Sequence, residues 1–186
     1  MDQLTLPIDD NGMEFSFLSG VGAWSTELLL YPDGTFEGYY HDSEMGDMGE
    51  GYPNGSVYVC NFSGKFEITE KTDECSYKLR LAELEAEKEK GEEWIEDGIR
   101  YISSLPYGIT DWSYDNSTGE MILIQGEDFI FYLPDTPLDG LNEDFLTWWP
   151  YRYEYYSDNE SITTLQCFGI LNVTTDEGFF SIDYAK

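Results

Sequence analysis

The sequence predicts an all-β fold with one or two short helices, built as an antiparallel barrel or, as the alternative, a two-sheet sandwich. Two observations carry this expectation. Apolar residues alternate with polar ones through most segments and do not recur at helical spacing. Turn clusters then follow one another so closely that about nine short strands fit between them. At 186 residues the prior is one domain. Residues 1–12 read as a disordered or extended leading segment and residues 13–186 as a single barrel domain.

The first strand is expected at Met13–Leu18, followed by a hairpin whose register can be derived. Pro32-Asp33-Gly34 suits a three-residue loop, with Pro opening a type I turn and Gly in the left-handed bulge position. Leu30 then lies opposite Phe36, Leu28 opposite Gly38 and Trp24 opposite Asp42, so that Trp24, Leu28, Leu30, Phe36 and Tyr40 share one face. A two-residue loop would set Glu37 beside Leu30 and lose burial.

The clearest strand is Ser56–Ile68, with Tyr58, Cys60, Phe62, Gly64, Phe66 and Ile68 on one face and Asn61, Ser63, Lys65 and Glu67 on the other. Val57 and Val59 break the alternation where both faces are covered. Ser76–Ala82 is the expected partner. The Glu- and Lys-rich run 82–93 fits either an exposed helix or a solvated strand extension. Further strands are expected at Gly98–Ser103, Met121–Ile124, Phe129–Leu133, Thr163–Val173 and Gly178–Tyr184, with turns at 115–119 and 174–178. Asn142 is placed to cap a short helix that opens on Glu143 and Asp144.

Thirty-eight acidic residues against nine basic ones leave a formal charge of −29. Contact with DNA, RNA or an anionic bilayer is therefore repulsive, and no nucleic-acid partner is expected. No apolar run approaches the ~18 residues of a membrane-crossing helix. Met1–Gly12 lacks the apolar stretch of a signal peptide, so the chain reads as cytosolic or as a mature fragment whose leader was removed. Cys60, Cys75 and Cys167 include no CxxC pair and read as small core residues. A zinc site built on two or three histidines is excluded, since His41 is the single histidine.

Gly22-Ala23-Trp24, followed by a strand and a tight turn to Gly34-Thr35-Phe36, resembles the Gly-x-Trp opening of lipocalins and related calycin barrels. The resemblance implies a barrel whose Trp closes one end and whose interior holds a small hydrophobic molecule. Trp24, Tyr40, Tyr58 and Phe62 are then the ligand-binding candidates. The later strands carry no Thr-Asp-Tyr-type motif, and Arg152 is the candidate for a basic residue over the Trp. The stretch Ser19–Phe66 also resembles uncharacterised domains of secreted, lipoprotein-type bacterial proteins. That likeness implies an extracellular or cell-surface home with a lipid anchor in the precursor; the cytoplasm is the alternative.

Three further constellations bear on function. The loop His41–Gly51 can wrap oxygen ligands around Ca²⁺ through Asp42, Glu44 and Asp47, or serve as a mobile acidic loop at the barrel mouth. Asp135, Asp139, Glu143 and Asp144 form a second acidic cluster, which helix-entry chemistry partly explains. The aromatic run Trp148–Tyr156, with Trp149, Tyr151 and Tyr153 as its binding candidates, can form a platform for a glycan or protein, or plug the core. For catalysis, Ser25 and Cys60 lack a recognisable elbow or neighbouring base. His41 and Asp42, adjacent on a strand, point to opposite faces. The expectation is a non-enzymatic, extracytoplasmic barrel that binds a small molecule or serves as a surface accessory module. The alternative is a carbohydrate- or protein-binding module using Trp148–Tyr156.

Overall fold

The computed structural model describes residues 4–20, 22–152 and 162–181. Five strands run up and down in chain order: β1 (Met13–Leu18), β2 (Trp24–Leu30), β3 (Thr35–Glu44), β4 (Ser56–Lys71) and β5 (Ser76–Ala86). Four short ones then leave the wall: β6 (Glu93–Glu96), β7 (Ile99–Ser103), β8 (Thr110–Asp115) and β9 (Glu120–Gln125). The wall resumes with β10 (Asp128–Tyr132), β11 (Gly169–Asn172) and β12 (Gly178–Ser181). β10 pairs with β5, and β12 pairs back onto β1. The result is a closed, eight-stranded antiparallel barrel in which each wall strand neighbours the next one along the chain. Closure removes the free sheet edges and excludes the sandwich.

Local chemistry sets the registers. Gly34 takes φ +85°, the Tyr31 N–H donates to the Thr35 carbonyl, and Leu30 faces Phe36, as the three-residue loop requires. β4 is 16 residues long because it serves three partners. It pairs with β3 through Ser56–Lys65, with β5 through Phe62–Lys71, and in parallel with β7 through Ser56–Val59. The β7 pairing explains why Val59 is buried although it points away from the lumen. Over 82–93 the chain extends β5 to Ala86 and then turns into β6, so the helical option falls away. Thr163–Val173 is a strand only over Gly169–Asn172. Before it, Leu165 exchanges backbone hydrogen bonds with Asp135 and Thr136 in a loop.

Aromatic rings fill the lumen. Phe15 on β1 meets Phe131 on β10 at 6.1 Å between ring centroids, and Phe66 lies 4.9 Å from Phe129 and 4.7 Å from Phe36. Leu6, from the leading segment, is buried in the same core, and its N–H donates to the Pro32 carbonyl. A second cluster covers the outside of β11 and β12. Helix α1 (Glu143–Thr147) is capped by Asn142, whose Oδ1 accepts from the Phe145 N–H at 3.0 Å. Phe145 stacks on Phe180 at 4.6 Å. A Cβ at Gly178 would lie 2.2 Å from the Phe145 ring, so that glycine makes room for it. With both faces covered, β11 and β12 are buried along their whole length.

The bulge position gives a direct test of this packing. A Cβ at Gly34 would fall 2.1 Å from the Phe66 carbonyl oxygen, in a backbone conformation that side chains avoid. Gly34→Ala is therefore expected to lower urea-unfolding stability by about 2 kcal/mol or more. Gly46→Ala, in open space, should stay within about 0.5 kcal/mol of the parent.

Candidate binding site at the Trp24 end of the barrel

One end of the barrel is closed by aromatic rings and a strap of chain. Trp24 lies 4.9 Å from both Phe17 and Tyr107, and Trp148 reaches in from the end of α1 to 4.6 Å from Phe17. The strap is the segment between β7 and β8. Its Ile109 is fully buried in the core. Its Gly108, at φ +92°, passes so close to Phe17 and Phe179 that a Cβ would meet them at 2.6 and 2.8 Å. Two polar side chains on the inner wall hold the strap. Thr26 Oγ1 donates to the Tyr107 carbonyl at 2.7 Å, and Asn172 Nδ2 donates to the Gly108 carbonyl at 2.9 Å. Both side chains are fully buried, and these bonds account for polar groups inside an apolar lumen.

Between this closed end and the hairpin β8–β9 lies a cleft of about 230 Å³. Trp24, Tyr40 and Asp42 come from the barrel rim. Tyr107, Asp111, Trp112 and Leu123 come from the segments inserted between β5 and β10, as does Lys90, whose Nζ sits 4.2 Å from the Trp112 ring centroid. Burial raises the hydroxyl pKa values of Tyr40 and Tyr107, and nearby carboxylates raise them further: Asp42 for Tyr40, Glu177 and Asp111 for Tyr107. Glu177 is only 8% exposed, and its Oε2 has no hydrogen-bond partner among the described residues. Burial pushes its carboxyl above the ordinary range, and the Tyr107 hydroxyl beside it opposes that shift in part. Asp111 is raised by burial as well, against a hydrogen bond from the Trp112 N–H.

The residues singled out from sequence separate into distinct surroundings. Trp24, Tyr40 and Asp42 meet in the cleft. Tyr58 is half-buried against the core, and Phe62 is buried 6.3 Å from Phe36. Trp149 is buried beneath α1 with Tyr151 at 6.0 Å, and the chain turns there instead of extending, the Arg152 N–H donating to the Trp149 carbonyl. Tyr153 lies outside the described residues. Asp42, Glu44 and Asp47 are not drawn together. Asp47 is ion-paired with Arg100, whose Nε donates to Ser56 Oγ at 3.0 Å, while Glu44 stands exposed at the end of β3. Among the described residues, no three His, Cys, Asp or Glu side chains are grouped to hold a metal ion.

Two features escaped the sequence reading. Ser25 does have a neighbouring base: its Oγ lies 3.2 Å from His41 Nδ1, across the β2–β3 ladder. The register derived from the turn already paired these two residues. Tyr107, Asp111, Trp112, Lys90 and Glu177 were missed because tertiary contacts alone bring them to the cleft. The chain matches no protein-family model, no curated protein and no solved structure.

The raised Glu177 pKa means that the folded state holds this proton more tightly than the unfolded chain does. Its contribution to stability is present below the ordinary glutamate range and is lost as pH rises through the raised value. Glu177→Gln should therefore match the parent near pH 4 and gain on it as pH rises above the ordinary glutamate range, levelling off once the raised pKa is passed, as read from urea midpoints. A difference independent of pH would contradict the assignment.

Proposed function

We propose that this protein is a binding domain without catalytic activity, lipocalin-like in design and extracytoplasmic in location, which takes a small ligand at the Trp24 end of its barrel. The observation that carries this reading is the cleft itself: about 230 Å³ of space with Trp24, Tyr40, Tyr107 and Trp112 as aromatic walls and a few polar groups among them. Ligand sites are commonly concave and largely apolar with a few placed polar groups, and barrel mouths are one of their usual places. The up-and-down closure supports kinship in design with eight-stranded lipocalin barrels. So does the Gly-x-Trp opening, with Gly22 at φ +78° and the Trp24 ring in the closed end. The location rests on the resemblance of Ser19–Phe66 to secreted, lipoprotein-type domains.

The ligand belongs at the mouth. Rings from β1, β3, β4 and β10 already meet inside the lumen, which leaves the rim and the inserted hairpin to form the walls. The cleft, at about 230 Å³, is below the ~300–1,000 Å³ of drug-sized pockets, so the ligand is compact, of one or two rings at most. Titration with the neutral fluorophore prodan tests this. A saturable blue shift of its emission is expected. Trp112→Ser, which removes a half-exposed wall and leaves the core intact, should weaken it about tenfold. Non-saturable binding, or binding indifferent to that substitution, would rule the cleft out.

A further inference from the structure

We infer that the ligand of the mouth cleft is an organic cation, an amine or quaternary ammonium on a compact apolar body, which displaces Lys90 from the face of Trp112. The inference rests on the reading of the cleft as a small-ligand site and adds the chemical class. Aromatic rings attract cations through the negative potential of their faces, most strongly for indole, and the cleft offers Trp24 and Trp112 together with Tyr40 and Tyr107. Two carboxylates line the same space and a third is buried behind its wall. Asp42 and Asp111 line it, and the buried Glu177 lies beside Tyr107 with one oxygen unpartnered. Among the described residues Lys90 is the single basic side chain in the lining, facing two carboxylates, which leaves the described lining net negative.

Lys90 already shows that the wall holds a cation, with its ammonium 4.2 Å from the Trp112 centroid. The residue is exposed, on the turn between β5 and β6, so its stem can swing into solvent when another cation arrives. That exchange conserves charge: one ammonium leaves as another enters, and the carboxylates are never left without a counter-charge. A bare divalent metal does not suit the site, because it demands several oxygens converging at short range and the acids among the described residues are not so grouped. A diffuse organic cation accepts spread carboxylates and aromatic walls. The −29 net charge favours the same class at longer range, enriching cations at the surface and repelling anionic ligands.

Choline and its uncharged isostere 3,3-dimethyl-1-butanol, titrated by calorimetry into the full chain, separate charge from shape. Choline is expected to bind saturably and at least about tenfold more tightly than the isostere. Lys90→Gln, an exposed change, should strengthen choline binding several-fold and the isostere clearly less, because the tethered competitor is gone for both and its repelling charge for choline alone. Asp111→Asn should weaken choline and spare the isostere. Equal binding of the two molecules, or a Lys90→Gln variant whose choline affinity is unchanged or weaker, overturns the inference. If prodan still binds saturably in that case, the cleft remains a small-ligand site of another class. If prodan fails as well, both readings fall together.

Discussion

The closed end of this barrel depends on two hydrogen bonds made inside it. Thr26 on β2 and Asn172 on β11 point polar side chains into a lumen lined mainly by Phe, Leu, Ile and Tyr, and each donates to a carbonyl of the strap that crosses the barrel end. A buried donor left unmade costs about 1–3 kcal/mol, so the wall and the strap satisfy each other or both are penalised. Because Thr26 and Asn172 stand on strands separated by β1 and β12, the strap is gripped from two sides. Gripping it there drives Ile109 into the core, requires a glycine at 108 and sets the Tyr107 ring against Trp24. The floor of the cleft follows from these bonds.

The walls follow from how the insertion is moored. β7 joins the upper half of β4 in parallel, and β6 pairs with β7, which makes a flap on the outside of the barrel. Three of the chain's nine basic residues are used there. Arg100 binds Asp47 and Ser56 and lies 4.7 Å over Tyr52, which ties the acidic loop after β3 to the flap. Lys88 sits over Trp94 at 4.9 Å and pairs with Glu92 at 2.9 Å, and two residues later Lys90 reaches Trp112. Exposed ion pairs contribute little one by one. Their placement still matters: the turn after β5 is anchored through Lys88 on the flap, and the stem of Lys90 is left over the cleft.

What could be read from the sequence was whatever local rules decide. The Pro32-Asp33-Gly34 loop dictated the β2–β3 register, alternation assigned the faces of β4, and Asn142 announced the start of α1. Strand β8 is not among the strands expected from the sequence: Trp112 and Tyr114 alternate with Asp111, Ser113 and Asp115 over too short a run to mark a core face, and both rings are in fact half-exposed. The extent of β11 was overread for the opposite reason: burial on both faces erases alternation, so its boundary leaves no mark. Barrel closure, the strap and the convergence on the cleft are contacts between distant segments, and no local pattern encodes them. Glu177 is the extreme case, since one more acid in a turn of a chain with 38 acids carries no signal of its own.

The acidic surplus is in fact of two kinds, which the structure sorts by what surrounds each carboxylate. Asp9, Asp33, Asp73 and Asp115 each accept the backbone N–H two residues ahead. The Thr35 and Ser117 hydroxyls foremost hold Asp33 and Asp115 below the ordinary carboxylate range, and the backbone bonds foremost hold Asp9 and Asp73 there. Such residues form turns, and their charge favours the fold. Asp111 and Glu177 are displaced the other way by burial, although exposed positions for acids abound on this surface. The fold keeps Asp111 and Glu177 where ionisation is costly, and both lie beside Tyr107 at the edge of an aromatic cleft. Groups held in unfavourable electrostatic surroundings tend to cluster where a protein works. In the proposed exchange, the counter-charge that Lys90 holds in the cleft passes to the ligand, so that these carboxyl groups keep the balance they had.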